Sequence, residues 1–340
     1  MRVRGRLRNL MLRFPCCRKQ NSLALLVAIA LLCTVPVVPA VAQAYRDRDV
    51  AQWTASLRSD DVRERWYATL ALARIGPEAG EAIPPLLELL ADRSQYEYVR
   101  AGAAFALGKI GGDAERVVPV LTETLGSDLA SVRRHSAQAL GRFGRQATSA
   151  VPTMLAQLRQ NDAVFRIDLA EALWHVAKHE RAIPFLAEQV RKAEAPESFE
   201  AAEALGRLAS ENSGQVIPVL IEALGSANAD VARSAARSLG RLGPPAAGPL
   251  AEAAAGNQSA VRLGAVEAFG WMGPAGASGL IAALSDSSPE VRRAAARGLG
   301  RLGPEVAAVE PALLGAVNDP DSQVRATAAA ALKRLGKNGK

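Results

Sequence analysis

Reactive side chains are scarce in this chain, and each scarcity removes a class of function. Its three cysteines, Cys16, Cys17 and Cys33, all precede residue 34. The stretch 45–340 therefore needs no disulfide and offers no thiol nucleophile. Three histidines, His135, His175 and His179, are too few to surround a pair of irons with imidazole. Aromatic residues make up only 4% of the chain, so a core of Ala, Leu and Val points to closely packed helices. No strand pattern is evident, hence no Gly-rich phosphate loop between strand and helix. No Ser/His/Asp set shows a meaningful spacing. A basic excess is missing too, once it is located. The formal charge of +7 is carried by Arg2, Arg4, Arg6, Arg8, Arg13, Arg18 and Lys19, in a leader without Asp or Glu. Beyond residue 44 basic and acidic groups balance. That balance argues against nucleic acid as a partner.

What the leader does have is an export pattern. A basic stretch precedes the apolar run from Leu23 to Val35, and small residues follow, ending at Ala42 or Ala44. Cys33 lacks the small residue before it that lipid attachment wants. The chain then divides into an export signal, 1–44, cleaved after Ala42 or Ala44, and a body, 45–340. The alternative is an uncleaved anchor over residues 23–44, nearly long enough to span a bilayer but weakened by Pro36 and Pro39. Either way the positive flank stays inside and the body is exported, to the periplasm or the medium.

The body repeats one phrase. "VRRAAARGLGRLG" from Val291 returns as "VRAGAAFALGKIG" from Val99, "VRRHSAQALGRFG" from Val132, "VARSAARSLGRLG" from Val231, "VRLGAVEAFGWMG" from Val261 and "VRATAAAALKRLG" from Val324. Looser copies start at Glu64, Phe165 and Glu197, making nine, at spacings of 30 to 35 residues. Counting from the first residue of each copy, offsets 0, 4, 7, 8 and 11 are apolar or small and form one helical face. The glycine at offset 12 suits a left-handed C-terminal cap. A shorter apolar segment lies between copies. In it Pro84, Pro119, Pro152, Pro184, Pro218, Pro249 and Pro311 fall where a first helical turn tolerates proline. Each unit is thus two short helices, and neither can bury its face without stacked neighbours.

The pattern "D…VRxxAAxALGxIG" resembles the HEAT-repeat superfamily, most closely the HEAT-like repeats named after phycobilisome lyases. The resemblance runs from Asp49 to Gly336 and implies an all-α fold, a right-handed solenoid of about nine two-helix repeats. It also implies a structural ladder in which an Asp between the helices pairs with the Arg opening the second helix: Arg65, Arg100, Arg133, Arg166, Arg262, Arg292 and Arg325. Asp286 with Arg292 and Asp319 with Arg325 keep a spacing of six, while Ser198 and Ala232 interrupt the series.

Two chemistries ride on such scaffolds in relatives. A di-iron hydroxylase uses several His-Glu pairs; this chain has His179-Glu180 alone, with His175 four residues earlier. Lyases attach bilin to a partner's cysteine, work that is hard to reconcile with export. No cofactor and no metal site is expected. Offset 10 reads Lys or Arg in seven of nine units, which a helix C-terminus explains locally. Offsets 2, 6 and 10 share one stripe, which in HEAT-like stacks lines the concave side. In units six to eight that stripe reads Arg233, Arg237, Arg241, Leu263, Glu267, Trp271, Arg293, Arg297 and Arg301. These are the candidate partner-binding residues. Phe165, Ile167, Glu171, Phe199 and Glu203, in the two units furthest from consensus, are the alternative. The expectation is an exported, non-catalytic scaffold binding a protein or an envelope component. The alternative function is an enzyme or cofactor-linked relative, hydroxylase-like or lyase-like.

Overall fold

A computed structural model describes residues 48–159, 162–192, 197–303 and 306–338. The leader, with its cysteines and both cleavage positions, lies outside the described residues. So does the anchor proposed over residues 23–44. No helix among the described residues is long and apolar enough to cross a membrane.

The described residues form nine helix pairs and no strand. The first helices are α1 (Val50–Ser56), α3 (Ile83–Ala91), α5 (Ala114–Thr124), α7 (Val151–Gln157), α9 (Ala182–Arg191), α11 (Ser213–Ala223), α13 (Pro244–Ala254), α15 (Ala277–Ala283) and α17 (Val309–Ala316). The second helices are α2 (Val62–Ile75), α4 (Glu97–Ile110), α6 (Ala130–Phe143), α8 (Ala163–Ala177), α10 (Ser198–Leu208), α12 (Ala229–Leu242), α14 (Ser259–Trp271), α16 (Pro289–Leu302) and α18 (Ser322–Asn338). Each second helix packs on its own first helix and on the second helices before and after it. The result is an all-α solenoid.

Local chemistry starts the second helices. Asp61 accepts from the Arg63 N–H at 2.9 Å, and Asp162 from the Phe165 N–H at 3.0 Å, satisfying N–H groups that the helix leaves free. Most second helices end at the offset-12 glycine, as at Gly76 and Gly303, with φ of 77° and 79°. Their ψ values, −137° and −177°, are extended. These residues therefore occupy the glycine-only region of positive φ rather than the expected left-handed helical cap.

Three prolines also differ from expectation. Pro119, Pro218 and Pro249 stand inside α5, α11 and α13, because those helices begin a turn earlier. Before α3 and α7 the same stretch is instead a 3₁₀ segment, and the proline keeps its place in the first turn.

The core fills offsets 0, 4, 7 and 8 as expected: Val291, Ala295, Gly298 and Leu299 are buried. Offset 5 is buried as well, at Ala104, Ala137, Ala170, Ala202, Ala236, Val266 and Ala296. A one-face reading misses it, because each second helix is covered on its flanks too. Offset 9 explains why the repeat spends glycines inside a helix, where each costs about 1 kcal/mol against alanine. A Cβ on Gly108 would stand 2.7 Å from both Cα and Cβ of Ala139, and one on Gly300 would stand 2.6 Å from Ala331 Cβ. The bare backbone lets successive second helices meet along a tight seam.

Candidate functional site

The offset 2, 6 and 10 positions of adjacent second helices touch across these seams, so they form a band along the stack with three different surfaces. On α2 and α4 it is aromatic through Trp66 at offset 2 and Phe105 at offset 6, and Tyr67, Tyr98 and Tyr96, which lie off these offsets, gather beside Trp66. The Trp66 ring meets Tyr67 at 5.2 Å and Tyr98 at 5.8 Å, and Tyr98 meets Tyr96 at 5.7 Å. Further along, Phe105 carries Lys109 and Arg142 over its ring at 5.7 and 5.3 Å.

On α6, α8 and α10 the band is a polar cleft of about 540 Å³. Arg134 Nε donates to Asp168 at 2.6 Å and Gln138 to the other carboxylate oxygen at 3.0 Å. Arg207 donates twice to Glu171, at 2.6 and 2.7 Å. Burial raises the Asp168 carboxyl above the usual carboxylate range, against the pull of Arg134. The seam is altered here. Offset 9 of α8 is Trp174, whose indole is buried and donates to Glu211 at 3.1 Å. Lys178 also binds Glu211 and, first among the causes, holds that carboxyl below its usual range.

On α12, α14 and α16 the band is cationic around one exposed ring. Trp271 is 49% exposed. Arg237 lies over its ring at 5.6 Å, and also 3.7 Å from Glu203. A Cβ on Gly270 would meet Arg301 Nη2 at 2.6 Å, so that guanidinium rests on the α14 backbone beside Trp271. Arg233 turns to Asp230 at 3.0 Å. Leu263 is half-buried against the core. Glu267 is half-buried and Arg241 and Arg297 are exposed. Arg293 keeps a buried Nε without an acceptor among the described residues. The structure thus brings Arg237, Trp271 and Arg301 together and leaves Arg233 engaged elsewhere.

The alternative residues in the middle units need correction. Phe165 and Ile167 are 0% and 2% exposed, because offsets 0 and 2 of α8 are covered by neighbouring helices. Glu171 is committed to Arg207. Phe199 is half-buried at the cleft. Asp168, Gln138 and Trp174 were not singled out by sequence; a polar residue at offset 3 and a tryptophan where the repeat writes glycine were the available signals.

The arginine ladder is built differently from the spacing-of-six pairing. Arg292 donates through Nη1 to the backbone carbonyls of Asp286 and Ser287, at 2.9 and 3.3 Å. Its Nε and Nη2 reach the next unit's Asp319 carboxylate, at 2.7 and 2.8 Å. Arg262 holds Asp286 in the same way, at 2.8 and 3.0 Å, and Arg133 reaches Asp162 at 2.6 Å. The guanidinium fork has donors for both tasks. Arg65 and Arg325 hold loop carbonyls, Ser59 at 2.7 Å and Asp319 at 2.8 Å. Arg100 follows the longest spacing in the series and reaches back to the Leu90 carbonyl at 3.0 Å. Arg166 lies over the Phe185 ring at 4.9 Å. Ser198, in the arginine's place, donates to the Lys192 carbonyl at 2.6 Å.

The histidines do not converge. His135 is buried, and that burial lowers its pKa. α8 ends at Ala177 with Lys178 left-handed, so His179 does not continue the face of His175. No group of three potential metal ligands occurs among the described residues.

The family model for HEAT repeats matches residues 50–141, 126–206, 217–278 and 277–340. That for the PBS lyase HEAT-like repeat matches residues 199–226. A search of curated proteins found no match. Among solved structures, Kap121p bound to Nup53p is similar at 16% identity and TM-score 0.50, over 92% of this chain and 39% of that one. The chain thus spans well under half of Kap121p. An engineered protein is similar at 24% identity and TM-score 0.40, over 88% and 91% of the two chains. The complex of CpcE and CpcF of phycocyanin lyase, from Nostoc sp. PCC7120, is similar at 22% identity and TM-score 0.35, over 85% and 95%.

Proposed function

As the chain belongs to the HEAT-repeat family, we propose that it is an exported, non-catalytic scaffold whose second-helix band binds a protein or an envelope component. The observation that carries this reading is the contrast along the repeat. The seam and core offsets are mostly Gly, Ala, Val and Leu from unit to unit, with Trp174 and Lys333 as departures at the seam, while the largely accessible band runs from aromatic through charge-paired to cationic. A surface that varies on a fixed frame is where specific contacts belong, and arginine and tryptophan are the types that most often dominate them. The candidate residues of units six to eight, centred on Trp271, are the favoured part of the band. Kap121p, in its complex with Nup53p, is a protein-binding example of the same fold. Export follows from the leader, and cleavage after Ala42 or Ala44 would release the body into the periplasm or medium; the membrane is involved only if residues 23–44 are retained.

The test is site-specific crosslinking of the protein as its host exports it. A photoreactive side chain at position 267, on the band, is compared with one at Leu314, an exposed residue of a first helix. Adducts at 267 and none at 314 are expected; the reverse would move binding to the first-helix side. The short lyase-type match at residues 199–226 supports a second reading, an enzyme or cofactor-linked protein. A stoichiometric chromophore or metal in the purified protein would favour it.

A further inference from the structure

Along the band, cations are consumed internally in the middle of the stack and left over near its C-terminal part. On α6 and α10, Arg134 is held by Asp168 and Arg207 by Glu171. Arg142 is turned onto the Phe105 ring. On α12 and α16, Arg241, Arg293, Arg297 and Arg301 have no ion pair among the described residues. Glu267 is the one acid at the same offsets of these three units. A favourable helix C-terminus accounts for Arg241 and Arg301 at offset 10. It cannot account for Arg293 and Arg297, which stand at offsets 2 and 6, in the second and third turns of α16 and outside its last turn.

Two further features distinguish this surface from a merely solvated face. Its side chains are partly fixed: Arg237 is stacked on Trp271, and Arg301 rests on the Gly270 backbone. Groups already held in place lose less freedom on binding. An exposed tryptophan also stands among them, 49% accessible in a chain with few aromatic residues.

We infer that units six to eight hold an acidic segment of the partner protein, its carboxylates on Arg241, Arg297 and Arg301 and an apolar side chain on Trp271. This rests on the band being the binding face. Carboxylates suit the guanidinium fork, which can take them with two parallel hydrogen bonds. A nucleic acid suits the surface less well. The body carries as many acids as bases, and one aromatic ring supplies no ladder on which successive bases could stack.

The experiment uses the exported protein and three labelled probes: a twelve-residue Glu/Asp-rich peptide with one central Leu, its Gln/Asn counterpart, and a short DNA duplex. The acidic peptide should bind, and the neutral one should bind about tenfold more weakly or not at all. Raising salt from about 50 to 300 mM should weaken the acidic complex several-fold, since exposed charges are screened over shorter distances. Arg297→Glu with Arg301→Glu should weaken it by about tenfold or more. Arg74→Glu with Lys109→Glu, reversing offset 10 in units one and two, should leave it within about twofold. Circular dichroism melting checks that both variants are folded. Equal loss from the two variants, equal binding of the neutral peptide, or tighter binding of the duplex would overturn the proposal. If the acidic peptide fails to bind while crosslinking at position 267 still traps a partner, the acidic class falls and the band reading stands.

Discussion

Trp174 of α8 and Trp271 of α14 stand at offsets 9 and 10 of the same repeat, one position and about 100° of helix rotation apart. Trp174 occupies the seam, where Gly108, Gly141, Gly240 and Gly300 elsewhere let second helices touch. Its ring belongs to the same buried cluster as Ile183 and Leu208, and α8 and α10 meet along a sparser seam than the neighbouring pairs. The cleft on the band opens at this junction, and the next second helix begins with Ser198 in the arginine's place. Trp271 leaves its seam intact. Its Cβ fills the space beside Gly240, and its ring projects onto the band between Arg237 and Arg301. One position of displacement therefore decides whether a tryptophan sets helix spacing or is offered to a partner.

The largest effect expected from that contrast is at the seam. Trp174→Ala should cost about 3–5 kcal/mol, the range for removing a buried tryptophan, read by chemical denaturation. The figure will fall toward its lower end if α8 and α10 close over the space, as the glycine seams do. A loss below about 1 kcal/mol would mean that the ring is not what separates these helices, and the comparison would fail.

An intermediate effect separates the two regions by pH. Asp319 is held below the usual carboxylate range, chiefly by its hydrogen bonds from Arg292. A depressed folded pKa contributes stability that is present above the unfolded value, near 3.8, and lost as pH falls through the folded one. Asp168 has the opposite sign. Burial raises its pKa, so stability is fully present below the unfolded value and declines as pH rises through the folded one. Asp319→Asn should therefore cost about 1.5–3 kcal/mol at neutral pH, the size of a hydrogen bond to a charged group, and progressively less toward pH 3. Asp168→Asn should become less costly as pH rises over the same interval. Denaturation of both variants and the parent between pH 3 and 7 checks this. Slopes of the same sign would remove the electrostatic distinction between the cleft and the ladder.

The repeat made the architecture legible, because a spacing of 30–35 residues with one apolar face per copy admits few arrangements besides stacked pairs. What remained hidden depends on neighbours in space. Offset 5 is buried by flanking helices that no single copy reveals. Asp319 looked like the partner of Arg325, six residues on, because spacing cannot show that Arg292 of the preceding unit reaches it first. Phe165 and Ile167 looked available because their units are irregular, whereas irregularity there is filled by the core. Trp271 was legible as exposed, since offset 10 lies off every buried position. The partners of Arg301 and Arg237 were not, since a guanidinium lying on a backbone or a ring leaves no periodic mark.

The smallest effect is expected at Trp271 itself. Alanine there keeps the Cβ that packs beside Gly240, so the seam between α12 and α14 loses nothing. What disappears is a ring about half open to solvent and its stacking with Arg237, an exposed contact of about 0.5–1 kcal/mol. Arg237 then turns more fully to Glu203, already 3.7 Å away, which offsets part of that loss. Trp271→Ala should consequently change stability by about 0.5 kcal/mol, the level of ordinary surface substitutions, with an unaltered helical spectrum. The same variant should weaken capture of the acidic peptide, because the ring is the one large apolar surface among the free arginines. A stability loss approaching that of Trp174→Ala would show that the ring is part of the frame. The cationic surface would then lose its anchor, and the aromatic surface of α2 and α4, with Trp66 and Tyr98, would become the part of the band to test for binding.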